Sequence, residues 1–189
     1  DPMLIAFSDQ ENELEFEPKI TNTAGSLRLS SGSLIIGAAK ARQEIIIFTD
    51  TSVYSMRFVG PPFTFAVNLI NEATGLISPK GAVTAPQGVY FMSYDNFYIY
   101  NGTVQKLPCN VLDYVFSDIN EGQAFKINAF TNTKENEVGW FYPSASSSEI
   151  DRYVIYNYQD RVWYYGQLSR TAWLDSGVES FPQATANNY

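Results

Sequence analysis

Three aspartates recur at matching places in this 189-residue chain. Asp50, Asp95 and Asp160 each sit in a polar turn between apolar strands. Carboxylates that converge in a cleft can run acid–base chemistry, as the glycosidase pair does at about 5–10 Å separation. Recurrence points the other way, because a repeated Asp in a repeated turn is explained by side-chain bonding to nearby backbone. Asp9, Glu11, Glu13, Glu15 and Glu17 form a second acidic set. Their oxygens would suit a hard cation, but the segment has no glycine where a calcium loop needs its sharp turn. It reads as the solvated face of a strand. Asn101-Gly-Thr103 matches a glycosylation sequon and equally a hairpin turn, and the turn reading is preferred.

The chain contains no histidine. That removes Ser-His-Asp and Cys-His catalysis, histidine-bearing zinc sites and imidazole proton transfer together. Gly25 and Gly32 lack the spacing and the lysine of a phosphate-binding loop. No catalytic, cofactor-binding or metal-ligating residue is therefore expected. The sequence predicts a protein that is not an enzyme and takes no cofactor or small-molecule substrate.

The remaining candidates are contact residues. Trp140, Trp163, Tyr164, Tyr165 and Trp173 cluster late in the chain. Trp140 and Trp163 are expected in the core. Trp173, following Arg170, is either a core residue or an interface anchor, since Trp and Arg are enriched at binding hot spots. Gly60-Pro-Pro-Phe63 is either a contact loop between subunits or a corner that ends a strand. The expected interface residues are thus Pro61, Pro62, Phe63, Arg170 and Trp173.

The elements that position these residues repeat. Glu44–Phe58, Gly88–Gly102 and Glu137–Tyr165 each hold an apolar strand, a polar turn and an aromatic-rich strand. The copies start roughly 44 to 49 residues apart, near the ~40–50 of four-stranded propeller blades. An all-β fold is predicted: an antiparallel propeller segment of three to four blades, at about 33–70, 82–107 and 126–165, with partial blades at both ends. Further strands are expected at Met3–Phe7, Glu13–Glu17, Thr171–Leu174 and Val178–Phe181. Pro18–Gly32 reads as polar and turn-rich, and Pro143–Glu149 as a flexible loop. Asn101-Gly102 is the signature of a type I′ turn. Val111, Leu112, Val115, Phe116 and Ile119 fall at helical spacing, which predicts one short helix over 111–119. The whole chain is expected to be a single propeller-like domain, and a piece of a longer polypeptide. Three blades alone would leave an inter-blade face unpaired.

Composition agrees with a packed β protein. Hydrophobic residues make up 45% and aromatics 15%, with 13 Tyr and 13 Phe, types that favour pleated, half-buried surfaces. The net charge is −8, from 12 basic and 20 acidic side chains. Such a surface repels phosphate backbones rather than wrapping them. Cys109 stands alone, so no intrachain disulfide forms.

The stretches Ala24–Leu29, Glu44–Gly60, Ile77–Pro79 with Gly88–Gly102, and Asp151–Asn157 followed by Trp163 resemble short-tailed phage tail proteins. The group is the packaged-DNA stabilisation and nozzle (tail tubular protein B) class, and the similarity covers roughly residues 24 to 174. The resemblance implies a structural virion protein with a propeller body. It implies a homo-oligomeric ring beneath the portal, contacts with other tail or portal proteins, and assembly in the host cytoplasm. DNA would be retained by, and ejected through, its conduit without sequence-specific binding, and host-surface contact is compatible with that place. No catalytic residue carries over. A carbohydrate-binding propeller, or less readily a glycan-degrading enzyme, is the alternative reading of the same aromatics and turn aspartates.

Overall fold

The computed structural model describes residues 1–177 and 181–186. The fold is all-β with antiparallel sheets and, among the described residues, one α-helix. The chain divides into two compact units, Asp1–Gly75 and Leu76–Tyr189.

In the first unit, β1 (Leu4–Phe7) pairs antiparallel with β2 (Gly25–Arg28). A four-stranded meander follows: β3 (Ile35–Lys40), β4 (Ile45–Thr49), β5 (Ser52–Gly60) and β6 (Thr64–Glu72), side by side in chain order. β4 is a run of β-branched and aromatic residues, and Ile46, Ile47 and Phe48 are all buried. A strand covered on both faces needs no polar alternation. Its turn is closed by Thr49, whose Oγ1 accepts from Ser52 N at 2.8 Å and donates to Ser52 O at 3.2 Å. The core under this sheet joins Met3 and Leu29 to Ile47, Tyr54 and Met56. After β6 the chain returns to the same turn, where Thr74 N donates to Thr51 O. Gly75 lies so close to the Asp50 carbonyl that any Cβ would overlap it.

In the second unit, β7 (Ala82–Ala85), β8 (Gly88–Met92), β9 (Phe97–Tyr100) and β10 (Val104–Lys106) form a second meander. Helix α1 (Leu112–Asp118) and a 3-10 turn (Glu121–Lys126) lead to a third: β11 (Asn128–Asn132), β12 (Glu137–Tyr142), β13 (Arg152–Asn157) and β14 (Val162–Gln167). β15 (Ala172–Leu174) then pairs with β16 (Gln183–Thr185). One core serves both meanders and α1, with Tyr90, Met92, Phe97, Trp140, Tyr142 and Val115 inside it. Burying each large side chain of this kind contributes about 1.5–3 kcal/mol.

Within the second unit, the leading strands of successive sheets lie beside one another. Lys80 and Asn128 form a parallel bridge, and Ala129 N donates to Lys80 O at 2.7 Å. Ser78 Oγ donates to Ile127 O at 2.6 Å. On the other side of β11, the Trp173 indole of β15 donates to Thr131 O at 2.7 Å. Thr131 Oγ1, Thr133 N and Thr133 Oγ1 all donate to the Asp175 carboxylate, which pins the chain beyond β15.

Several local expectations change. Glu13–Glu17 is not a strand; the chain turns there, with Glu11 at φ 60° and Glu15 N bonded to Asn12 O. Period-two alternation does not make a strand without a neighbour to pair. Pro18–Gly32 contains β2, which the turn-rich composition conceals. The β9–β10 connection pairs Tyr100 with Val104 around three residues, and only Gly102 has positive φ, at 112°. It is therefore not a two-residue type I′ turn, which needs positive φ at both positions. Pro143–Glu149 is tied down rather than free. Ser144 is buried and donates twice to Asp151, while Asn120 and Lys126 hold Ser147, Ser148 and Glu149. The strand expected at Val178–Phe181 falls, apart from Phe181, outside the described residues.

Candidate functional site

The three turn aspartates do three different jobs. Asp50 accepts from Ser33 N at 2.8 Å and from Ser33 Oγ at 2.5 Å, holding the entry to β3 against the β4–β5 turn. Those bonds, the Ser33 hydroxyl foremost, keep its carboxyl below the usual range. Asp95 accepts from the Tyr98 hydroxyl and from Lys106 Nζ at 3.1 Å. Burial first, then the Asp95 bond, pushes the Tyr98 phenol up, and Asp95 likewise raises Lys106. At Asp160 the turn uses the backbone instead, whose N–H donates to Asn157 Oδ1. Of the three, Asp50 is the one whose carboxylate bonds backbone across to another segment, at Ser33 and Leu34. Recurrence of the residue type thus hides three separate local solutions.

The acidic set lies on a turning segment, with Glu11, Glu13 and Glu17 exposed and Asp9 and Glu15 half-buried. Asp9 Oδ1 accepts from Thr23 N and Thr23 Oγ1, which lowers its pKa. Lys19 pairs with Glu15 and Glu17. Among the described residues, no group of three or more Asp, Glu, Cys or His could hold a metal ion. The Asn101-Gly-Thr103 turn is fully exposed.

Among the late aromatics the three tryptophans pack, Trp163 and Trp173 only half-buried, whereas Tyr164 and Tyr165 are exposed. Trp140 is fully buried and its Nε1 donates to Gly81 O. Trp163 lies against Phe97 and Tyr156 and donates to Pro108 O. Trp173 is half-buried against Phe130 and Phe141. Arg170 is half-exposed, with its guanidinium on Ser169 O. Cys109 is half-buried, and burial pushes its thiol up to about 11.

Pro61, Pro62 and Phe63 lie at the opposite extreme. They form the exposed tip of the β5–β6 hairpin, where Phe65 N folds back to Phe63 O at 2.6 Å. Phe63 is 76% exposed, and Phe58 and Val59 beside it are 68% and 53% exposed. Phe58 leans edge-on against Phe65, which in turn packs edge-on against Phe7. Beneath this row of rings is a groove of about 410 Å³ lined by Phe7, Phe58, Phe65 and Pro61, with Asp9 at its rim. Across Phe58 and Phe65 lies a second depression, lined by Met56, Lys40 and Arg42. Two bulky rings and a valine left in water on one hairpin form an apolar patch of the kind that marks an interaction surface. Phe7, Phe58 and Phe65 did not stand out in the sequence. The available signal was the pair Phe58-Val59 followed at once by Gly60-Pro61-Pro62, large apolar residues continuing to the last positions before a strand ends.

No protein-family model matches the chain, and no curated protein is significantly similar to it.

Proposed function

We propose that this chain is a structural component of a short-tailed phage tail, of the nozzle or head-closure kind. Its four-stranded sheets are successive blades of a propeller body, and copies of it assemble into a ring that forms part of the DNA conduit. The observation that carries the reading is the lateral order β7–β11–β15. In a propeller each blade begins at the axis, so leading strands stand side by side while the meanders run outward. The segments that resemble tail proteins coincide with the central hairpins β4–β5 and β8–β9 and with β13. A repeated scaffold with an exposed aromatic hairpin tip suits assembly.

The charge supports a passive conduit. A chain of net charge −8 does not hold DNA by counterion release, and like charge keeps a passing duplex from sticking. Strands β7, β11 and β15 carry neither carboxylates nor cations. In this reading the carboxylates that line the conduit come from the ring of several copies, not from the axis of one propeller.

Antibody raised against the chain tests this on purified particles. Immunogold label at the tail is the expected result. A chain found only in the soluble lysate, absent from particles, would overturn it.

A further inference from the structure

We propose that the aromatic groove of the first unit is a socket for Arg42 of a second copy, so that chains associate head to tail. The groove has the chemistry of an arginine receptor. Its walls are the Phe7, Phe58 and Phe65 rings, and its rim carries Asp9. Glu11 and Glu13 line an adjoining depression that shares Asp9. Aromatic rings packed edge to face beside a carboxylate favour a guanidinium, which is weakly hydrated, planar and always charged.

The same unit supplies the plug. It has three arginines, Arg28, Arg42 and Arg57. Arg28 is paired with Asp1 and Arg57 with Glu44, both at 2.7 Å. Arg42 is exposed at the β3–β4 corner, and no ion pair among the described residues holds it. It lies across Phe58 from the groove, in the depression that Lys40 also lines. Glu44 lines the same depression but is paired with Arg57, so that face is net basic, while Asp9, Glu11 and Glu13 line the depressions on the other side of Phe58. Arg42 cannot fill its own groove from the far side of that ring, but another copy's Arg42 can. For a chain of net charge −8, approach of a second copy is repulsive unless a basic corner leads, so the charges select this pairing.

Plug and socket are different patches, so the contact is heterologous. Such contacts close into rings or run on as filaments, unlike a two-fold interface that stops at a dimer. The exposed parts of Phe58 and Phe63 amount to roughly 300 Å², against about 800 Å² per partner in a standard interface. A contact of this size is weak, and the proposal puts its Kd on the order of 100 μM. The inference does not need the tail assignment, since a chain of any role with these two faces would associate in the same way.

Sedimentation velocity on the 189-residue chain tests it. The wild type should form species beyond a dimer at low salt and dissociate as salt rises. Arg42→Glu keeps the socket and loses the plug; Phe58→Ser keeps the plug and loses the socket. Both positions are exposed, and circular dichroism checks the fold. Each variant alone should associate at least tenfold more weakly. Mixed, they should give a capped one-to-one pair and nothing larger. A wild type still monomeric at about three times that Kd overturns the proposal. So does association unchanged in either variant, or a mixture that fails to pair. Particle labelling with negative self-association would sink this inference and leave the tail reading standing.

Discussion

The indole Nε1 of Trp140 donates to the carbonyl oxygen of Gly81 across 2.9 Å, with both groups buried. The bond ties the second strand of the third meander to the residue that leads into β7. Phe97 packs on the same indole with ring centroids 4.7 Å apart. One side chain therefore joins the two sheets of the second unit by shape and by a polar bond.

Trp140→Phe should show how much that junction contributes. The change leaves a cavity and strips a buried carbonyl of its donor, which together cost about 2–4 kcal/mol. Urea unfolding followed by circular dichroism should show a lower midpoint with little change in slope. An unchanged midpoint would mean that the indole bond and its packing contribute nothing net.

Gly75 and Gly102 should respond very differently to alanine. At Gly75 a Cβ would overlap the Asp50 backbone carbonyl, which cannot swing aside. Gly75→Ala should cost more than about 3 kcal/mol, as overpacking against fixed atoms does. At Gly102 nothing lies within 4 Å, and only its φ of 112° resists a side chain. Gly102→Ala should cost about 1 kcal/mol, the ordinary penalty for a residue with Cβ at positive φ. Equal losses in parallel thermal melts would contradict the close approach at Gly75.

Asp50 should give the fold part of its acid sensitivity. Its folded pKa is held below the ordinary 3.8 by the Ser33 bonds. A depressed carboxyl contributes stability that is present above the unfolded value and lost as pH falls through the lower folded value. Carboxyl NMR should place the Asp50 midpoint below that of an unfolded peptide. Asp50→Asn should flatten the acid limb of the stability profile and leave the neutral region nearly level. A midpoint at or above the ordinary value would contradict the arrangement.

Cys109 should be slow to react. With its pKa moved from 9.0 to about 11 by burial, the thiolate fraction near neutral pH falls about 100-fold, and thiolate is the reactive form. Iodoacetamide labelling followed by mass spectrometry should show native Cys109 protected and urea-unfolded Cys109 labelled at the ordinary rate. Fast labelling of the native protein would contradict the burial.

Much of this fold was legible because its strands announce themselves locally. β4, β8, β9 and β12 are dense in β-branched and aromatic residues between polar turns, and α1 carries its apolar residues at helical spacing. β2 was not legible. Gly25–Arg28 has little strand propensity and becomes a strand because β1 needs a partner, with Leu27 opposite Ile5. Its Gly25 lies under the Phe7 ring, where a Cβ would approach ring carbon within 2.6 Å. Glu13–Glu17 failed in the converse way, having the alternation of a strand and no edge to join. The apolar groove was invisible for the same reason as β2. Phe7 and Phe58 are far apart in sequence, and period two places Phe58 on the Met56 side of β5 without saying that the core ends before it.

The most direct test of the central claim is a cryo-EM reconstruction of the particle that carries this chain, at a resolution that traces side chains. The account predicts a ring below the portal in which each copy places three four-stranded meanders as successive propeller blades, around a lumen lined by carboxylates. A particle without this chain, meanders that do not radiate from a common axis, or a lumen lined by Lys and Arg would contradict it.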